Sequence, residues 1–140
     1  MLVRFVSGEM PVPNSIQKLP NELIVIDTIP PDYHLSVELP QEMSKLFEAA
    51  DHLEAPVFWI VDVSAVKEMT IEDLLTGTEL LIRGKNPLYR HRNIREVLYI
   101  STSQLIKLAA AGLASDLFGN LKIQVFESLE AALQYARKQL

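Results

Sequence analysis

The chain has 140 residues, a formal net charge of −5 and no cysteine. Its length predicts one domain over residues 1–140 with a substantial core, and the lack of cysteine excludes disulfides, thiolate metal ligands and a cysteine nucleophile. The modest negative charge gives no reason to expect a nucleic-acid partner, and no apolar run approaches the roughly 20 residues of a membrane helix, so we expect a cytoplasmic protein without a membrane span.

The predicted elements begin with two strands ahead of the first helix. Residues 2–6 form a short apolar run, and the prolines that follow interrupt the chain, so residues 1–20 are interpreted as an N-terminal extension of the same domain. Residues 22–27 are rich in β-branched side chains and predict a second strand. Apolar residues at helical spacing predict a helix over residues 41–53, with Pro40 at its first position, where the missing N–H costs nothing.

The centre of the chain joins a buried strand to a capped helix. Residues 57–63 form an apolar run that contains one carboxylate, Asp62. Thr70 has the residue type of a helix N-cap, and Asp73 stands where it can complete a capping box. Gly84 predicts the end of this helix in a left-handed turn. One face of the predicted helix is lined by Ile71, Leu74, Leu75, Thr78, Leu81 and Ile82.

Two further strands and two further helices complete the predicted order. The strands are expected at residues 96–100 and 122–126, with a helix between them that is capped by Ser103 or one of the two residues before it. Ser128 caps the last helix. Strands that alternate with helices of this length predict an α/β fold: a four- to five-stranded mixed sheet, largely parallel, with about four helices. The N-terminal strands are expected to pair antiparallel at one edge.

Three segments of the chain carry a resemblance to a known family. Residues 60–66 are an apolar strand that ends in an aspartate flanked by hydrophobic residues, residues 103–108 open a helix followed by small residues, and residues 125–133 join an aliphatic–aromatic pair to a capped helix. In their order and spacing these segments resemble the STAS domain of the anti-sigma-factor antagonists, over roughly residues 22–140. The resemblance implies a SpoIIAA-like fold and a non-catalytic regulatory module that binds a protein partner.

The phosphorylation motif of those antagonists is altered in this chain. In the family, Asp-Ser-Ser-Gly (or Thr for the second Ser) starts the helix after the central strand, and a kinase partner phosphorylates the serine. Here the aligned residues are Thr70, Ile71, Glu72 and Asp73, so the acceptor serine is missing. The resemblance therefore implies a divergent member that is not switched in the usual way. Thr70 remains a candidate phosphoacceptor, but a structural N-cap hydroxyl, which contributes about 1 kcal/mol, explains it as well.

Two groups of residues are candidates for binding a partner or an anion. Helix N-termini favour anions, so the first group lies at the start of the helix that Thr70 caps: Asp62, Ser64, Thr70, Glu72 and Asp73. The second is a cationic loop whose arginines suit carboxylate or phosphate and beside which Tyr89 could stack: Arg83, Lys85, Arg90 and Arg92. Each group also has a simpler interpretation, as locally satisfied polar residues and as a solvated loop.

Three functional hypotheses remain open from the sequence. A protein-interaction module predicts an exposed apolar patch beside the Thr70 helix start, and a homodimer would use such a surface too. A binder of a small molecule or lipid-like ligand predicts an enclosed concavity, in which Phe58, Trp59 and Tyr99 would line a pocket instead of filling a core. An enzyme would need two titratable groups with pKa values pushed apart in one cleft.

Chemistry that needs a metal or a cofactor is not expected. The three histidines, His34, His52 and His91, show no spacing typical of a metal site. The chain has neither a glycine-rich phosphate loop nor a G-x-S-x-G motif. The sequence therefore predicts no metal, no cofactor and no catalytic residues.

Overall fold

The computed structural model of the protein describes residues 2–3, 15–66, 68–115 and 121–140. Within these residues six strands form one sheet, and their order in space follows their order in sequence. The strands are β1 (Leu2–Val3), β2 (Ser15–Lys18), β3 (Ile24–Thr28), β4 (Val57–Asp62), β5 (Ile94–Ile100) and β6 (Ile123–Phe126). The helices are α1 (Leu35–Asp51), α2 (Ile71–Thr78), α3 (Gln104–Leu113) and α4 (Leu129–Gln139).

The sheet is mixed and largely parallel, which confirms the predicted fold class. β1 pairs with β2 and β2 with β3 in antiparallel fashion, whereas β3 through β6 are parallel. β2 was not predicted: it is four residues long with one buried side chain, Ile16, so its sequence shows no period. It lies inside the segment interpreted as an extension. Of the predicted strand at residues 2–6, residues 4–6 lie outside the described part of the chain.

Apolar side chains fill both faces of the sheet. Successive residues of β4 point to opposite faces, and all but the last are buried, as expected for a central parallel strand. Trp59 faces the layer formed by α1, α2 and α3, whereas Phe58 and Ile60 face α4. Phe58 and Trp59 are therefore both core residues, in two separate clusters.

The three crossover helices lie on the same face of the sheet. β3, β4, β5 and β6 follow each other in one direction, so right-handed crossovers bring α1, α2 and α3 to one side. In doubly wound folds a ligand crevice opens at the carboxyl ends of the strands, where the strand order reverses. The described strands contain no such reversal. Strand order therefore gives no reason to expect a deep crevice at the carboxyl ends of these strands.

Helix α1 starts earlier than predicted. It begins at Leu35, and Pro40 lies inside it instead of at its first position. The carbonyl of His34 accepts hydrogen bonds from the N–H groups of Val37 and Glu38, at 3.0 and 2.8 Å, which closes the first turn well before the proline. Pro40 then removes one bond near the helix start, where the turn is already formed.

Helix α2 ends in a way that the sequence did not predict. Residues Glu79–Arg83 continue it as a π-helical turn, and the N–H of Gly84 donates to the carbonyl of Glu79 at 2.9 Å. Gly84 has φ −57° and ψ 179°, so the predicted left-handed ending is wrong. A glycine is still favoured here, because a Cβ would lie only 3.1 Å from the Glu79 carbonyl oxygen.

Only part of the predicted helical face of α2 and its π turn is buried. Leu81 and Ile82 are buried, but Ile71 and Leu75 are exposed, and Gly77 is buried in their place. A Cβ on Gly77 would lie 3.6 Å from a methyl group of Leu35. α1 therefore approaches α2 at its glycine, and this contact turns Ile71 and Leu75 toward solvent.

Candidate functional site

The strand that leads to the helix start ends in a locally closed turn. One oxygen of Asp62, Oδ1, accepts hydrogen bonds from the Ser64 N–H at 3.0 Å and from the Ser64 hydroxyl at 2.6 Å. This geometry is an Asx turn, in which a side chain replaces a backbone partner. Asp62 and Ser64 lie together, as the sequence suggested, and each satisfies the other.

Thr70 caps α2 through the predicted capping box. Its Oγ1 accepts from the Asp73 N–H at 3.0 Å, and the Thr70 N–H donates to Asp73 Oδ2 at 3.0 Å. The other carboxylate oxygen, Asp73 Oδ1, accepts from the N–H of Ser36 in the first turn of α1 at 3.1 Å. Asp73 therefore caps two helices at once, a role that depends on the tertiary contact between α1 and α2.

The charge at this helix start is already negative. Burial raises the pKa of Asp73, but the N–H groups of Thr70 and Ser36 outweigh it and hold that pKa below its usual value. Glu72 adds a second carboxylate in the first turn. Two of the first backbone N–H groups, those of Thr70 and Asp73, have partners inside the box. The α2 start is therefore a poor receptor for an additional anion.

Helix α3 starts beside this junction. Side-chain hydroxyl oxygens at its start also accept hydrogen bonds from backbone N–H groups. The Ser101 hydroxyl oxygen accepts from the Ser103 N–H at 3.0 Å, and the Ser103 hydroxyl oxygen accepts from the Ile106 N–H at 3.4 Å. Thr70, Ser101 and Ser103 line one pocket at the carboxyl edge of the sheet. Thr70 and Ser103 are helix N-caps, as their residue types predicted, whereas Ser101 accepts from the backbone just before α3.

The cationic loop lies at the opposite edge of the sheet. Arg83 ends the π turn of α2 and Lys85 follows that turn, whereas Arg90 and Arg92 precede β5 at its amino end. Thr70 and its neighbours follow the carboxyl end of the parallel strand β4. One strand length separates the two groups, on the order of 20 Å at about 3.3 Å per residue. The structure therefore does not unite the two groups of candidates into one site.

Part of the loop is a structural anchor for α1. The side-chain N–H groups of Asn93 donate to the carbonyls of Ala50 and Leu53 at 2.9 and 3.1 Å, at the end of α1. His91 Nδ1 accepts from the Asn93 N–H at 3.0 Å, so Nε2 carries the proton that is shared with Asp51 at 2.6 Å. Tyr89, offered above for stacking, is buried and bonded to Tyr99, so that expectation is wrong.

Asn93→Ala is expected to lower the free energy of unfolding by about 2 kcal/mol, because the carbonyls of Ala50 and Leu53 lose a buried amide donor. Asn93 is 7% exposed, so water replaces that donor poorly. Urea unfolding at pH 7 measures the change. Arg92→Ala, an exposed neighbour, is the control and should stay within about 0.5 kcal/mol of wild type. Equal losses in the two variants would contradict the anchoring role of Asn93.

An apolar surface lies beside the α2 start. Ile71 and Leu75, one turn apart on α2, are 71% and 66% exposed, and Val37 on α1 is 59% exposed. The hydrogen bond from Ser36 to Asp73 holds the first turns of the two helices together. We call the surface formed by Val37, Ile71 and Leu75 the α1–α2 face. The sequence had placed Ile71 and Leu75 on one helical face without deciding whether that part of the face is buried.

A cavity lies on the opposite side of these helices, between them and the sheet. It has a volume of about 90 Å³ and is walled mainly by apolar side chains of α1, α2, α3 and the central strands. Polar groups reach it from three tyrosines and two further buried residues, which the sequence had not assembled into one site: Asp27, Tyr33, Trp59, Tyr89 and Tyr99. Three of them, Asp27, Trp59 and Tyr99, stand within the apolar strands β3, β4 and β5, and this was their signal in the sequence.

Two hydrogen bonds organise the polar residues around this cavity. The Tyr33 hydroxyl donates to Glu42 Oε1 at 2.9 Å, and the hydroxyls of Tyr89 and Tyr99 share a proton at 2.7 Å. Burial raises the pKa of each of these tyrosines, so all three phenols are neutral at physiological pH. The cluster is thus a set of uncharged hydroxyls held in an apolar interior.

The carboxyl groups of Glu42 and Asp73 have pKa values shifted in opposite directions. Burial raises the pKa of Glu42, and the Tyr33 hydroxyl only partly offsets it. The pKa of Asp73 lies below its usual value. Asp73 contributes to the cavity wall and Glu42 does not, so these two groups do not form an acid–base pair in one cleft. An enzyme hypothesis would need such a pair.

Comparisons with known proteins identify the fold. No protein-family model and no curated protein matches the chain. A similar solved structure is that of an uncharacterized protein of the DUF3478 family from Shewanella loihica PV-4, described as having a SpoIIAA-like fold. It is 16% identical, with a TM-score of 0.56, and the match covers 88% of this chain and 91% of that chain. The chain therefore has the SpoIIAA-like α/β fold, and the fold implied by the STAS resemblance is confirmed.

No helix in the described part of the chain is long and apolar enough to cross a bilayer. Among the same residues, no group of three histidine, aspartate or glutamate side chains is placed to hold a metal ion.

Proposed function

We propose that this protein is a non-catalytic interaction module, with a regulatory role in the cytoplasm, that binds a protein partner through the α1–α2 face. The observation that carries the proposal is the exposure of Ile71 and Leu75, two large apolar side chains one turn apart on α2. Single exposed leucines are ordinary, but a contiguous apolar surface with a polar rim is typical of interaction sites. The position agrees with the resemblance to STAS domains, whose regulatory motif lies at the same helix start.

The rim of this face is acidic. Glu38, Glu72 and Glu79 lie in or beside the helical turns that carry its apolar residues. Neither residues 34–44 nor residues 70–82 contain a lysine or arginine. Complementary charge therefore favours a partner segment with apolar residues flanked by lysine or arginine. The same charge disfavours nucleic acid.

Thr70 acts as a structural cap in this proposal. Its Oγ1 accepts the Asp73 N–H, and the adjacent carboxylates of Glu72 and Asp73 would repel a phosphate placed on it. Binding is therefore not switched by serine phosphorylation of the kind known in the antagonists. Thr70→Glu should disturb the cap and so weaken partner capture, without a need for phosphorylation.

The test is affinity capture from the native cell with matched variants. The double variant Ile71→Ser, Leu75→Ser removes the apolar centre of the face, and Leu108→Ser on α3 is the control because Leu108 is 70% exposed. We expect a partner that wild type and Leu108→Ser retain equally and that the double variant loses by about tenfold, or about 1.4 kcal/mol. Cross-linked peptides from that partner should be apolar and basic.

Two outcomes would contradict the proposal. Equal recovery of every partner by wild type, Thr70→Glu and the double variant would exclude the α1–α2 face as the binding surface. A dimer that light scattering detects for wild type and Leu108→Ser, but not for the double variant, would identify a second copy of the chain as the occupant instead.

A second candidate function is the binding of a small ligand. It is favoured by the interior cavity and by Trp59, which lines that cavity and whose buried N–H has no hydrogen-bond partner. Buried polar groups in folded proteins are nearly always paired, by protein, water or ligand. The two functions use different sides of α2 and do not exclude each other.

A further inference from the structure

Trp59, which lines the interior cavity, carries a buried hydrogen-bond donor without an acceptor. Trp59 is 1% exposed, and its Nε1–H has no partner within the described structure. The nearby phenols are engaged elsewhere, Tyr33 with Glu42 and Tyr89 with Tyr99. An indole N–H can only donate, so the missing partner must be an acceptor.

The charges along the cavity wall are of one sign. Asp27, Glu68 and Asp73 contribute to it, and none of its described residues is a lysine, an arginine or a histidine. An anionic ligand would therefore be desolvated beside carboxylates without a compensating cation. These carboxylates would pair with an ammonium group, but an ammonium group has only donors and cannot accept a hydrogen bond from Trp59 Nε1–H.

We propose that the cavity binds a small, uncharged, mainly apolar molecule whose alcohol or carbonyl oxygen accepts a hydrogen bond from Trp59 Nε1–H. This inference rests on the ligand-binding candidate function and assigns its chemical class. The volume of about 90 Å³ limits the ligand to a short chain or a single small ring. For scale, engineered apolar cavities of about 150 Å³ bind benzene.

The single tryptophan of the chain provides a direct probe. In protein labelled with nitrogen-15, its indole N–H gives one isolated resonance, which titrations with three matched compounds can follow at pH 7. Cyclopentanol is the neutral acceptor, cyclopentylamine is the cation and cyclopentanecarboxylate is the anion. We expect cyclopentanol to shift the indole resonance saturably, with an affinity at least about tenfold above that of either charged analogue.

Two variants of α3 place the binding in the cavity. Ala109 lines the cavity, whereas Ala111 is exposed on the same helix. Ala109→Leu should abolish the cyclopentanol shift, and Ala111→Leu should leave it unchanged. Nuclear Overhauser contacts between cyclopentanol and the Trp59 ring test the same placement in wild type, independently of whether Ala109→Leu folds.

The outcomes separate the chemical class from the function. A charged analogue that binds as tightly as cyclopentanol would overturn the assigned class while leaving ligand binding intact. Cyclopentanol binding that persists in Ala109→Leu would move the site to the groove beside β2, which Trp59 also lines, and would overturn the cavity assignment. If none of the three compounds shifted the indole resonance, a resident water would be the partner of the indole N–H. That result would overturn both the assigned chemical class and the ligand-binding function.

Discussion

Asp73→Ala is expected to lower the free energy of unfolding by about 3 kcal/mol at pH 7, because one carboxylate closes the starts of two helices. Its two oxygens accept from the N–H of Thr70 at 3.0 Å and from the N–H of Ser36 at 3.1 Å. An ordinary N-cap satisfies only its own helix. Loss of Asp73 leaves N–H groups of α1 and α2 without these acceptors and removes a negative charge from two positive helix ends.

This stabilisation should depend on pH in a defined direction. The pKa of Asp73 is lowered in the folded protein from the ordinary value of an aspartate, because the N–H groups of Thr70 and Ser36 stabilise the carboxylate. The carboxylate therefore contributes its full stabilisation above about pH 4, and that contribution is lost as the pH falls through the lower folded pKa. Urea unfolding of wild type and Asp73→Ala between pH 7 and pH 3 should show their difference narrow at the acidic end.

Two variants separate charge from position. Glu72→Ala removes a carboxylate from the same helical turn, but no hydrogen bond of the capping box involves Glu72, so its effect should stay within about 0.5 kcal/mol. Asp73→Asn keeps an acceptor oxygen without the charge and should lose about half as much as Asp73→Ala. If Glu72→Ala and Asp73→Ala proved equally destabilised, the double cap would be excluded.

Much of the fold could be predicted because its signals are local. The strands from β3 to β6 are β-branched or apolar runs, and the caps at Thr70, Ser103 and Ser128 are recognisable from residue type alone. β2 was not predicted, because its four residues include one buried side chain and so show no alternation of apolar and polar residues. The predicted start of α1 was wrong, because proline is tolerated at the first helical position and also just inside a helix whose first turn has already closed.

The orientation of α2 could not be predicted from spacing. Its apolar residues cover a wide stripe, and periodicity does not say which part of a wide stripe faces the core. The contact of Leu35 with the helix at Gly77 decides this, and it depends on residues 42 positions apart in the chain. The exposure of Ile71 and Leu75, which carries the proposed function, follows from that contact.

The candidate site was only half predictable for a related reason. The spacing of Thr70 and Asp73 gave the capping box, but the bond from Ser36 to Asp73 joins two crossover helices and has no local signal. The cationic loop has the charge pattern of a binding site. Only the sheet topology shows that it lies at the amino ends of the parallel strands, away from Thr70 at their carboxyl ends. One residue of α1 also signalled the buried polar groups around the cavity. Glu42 is an acid within the apolar stripe of α1 that contains Leu39 and Leu46.

Phe58→Ala is expected to lower the free energy of unfolding by about 4 kcal/mol, the largest single-residue effect we predict. The ring is fully buried in the cluster between the sheet and α4. The buried α4 residues facing it are alanines, Ala132 and Ala136, so this layer depends on large side chains from the strands. Tyr135, the large α4 residue that meets the ring, donates a hydrogen bond to Glu96 at 2.8 Å, so it is held in place and does not fill the cavity that Phe58 leaves.

The surroundings of Phe58 allow a sharp control. Its ring meets Tyr135 edge-on, with centroids 6.0 Å apart, and the Arg95 guanidinium lies 4.8 Å from the ring centroid. Phe58→Leu keeps most of the volume and should cost about 1.5 kcal/mol. Arg95→Ala should cost about 0.5 kcal/mol in wild type and nothing in Phe58→Ala, because its cation–π partner is gone.

Amide hydrogen exchange would show which elements lose local stability when Phe58 is removed. Because α4 packs on one face of the sheet and the other three helices on the opposite face, Phe58→Ala should open α4 before global unfolding. The amides of α4 should then lose protection while those of α1 keep theirs under conditions where the protein stays folded. Uniform loss of protection across α1 and α4 would mean that the two layers unfold as one unit, and that the separate clusters have no energetic independence.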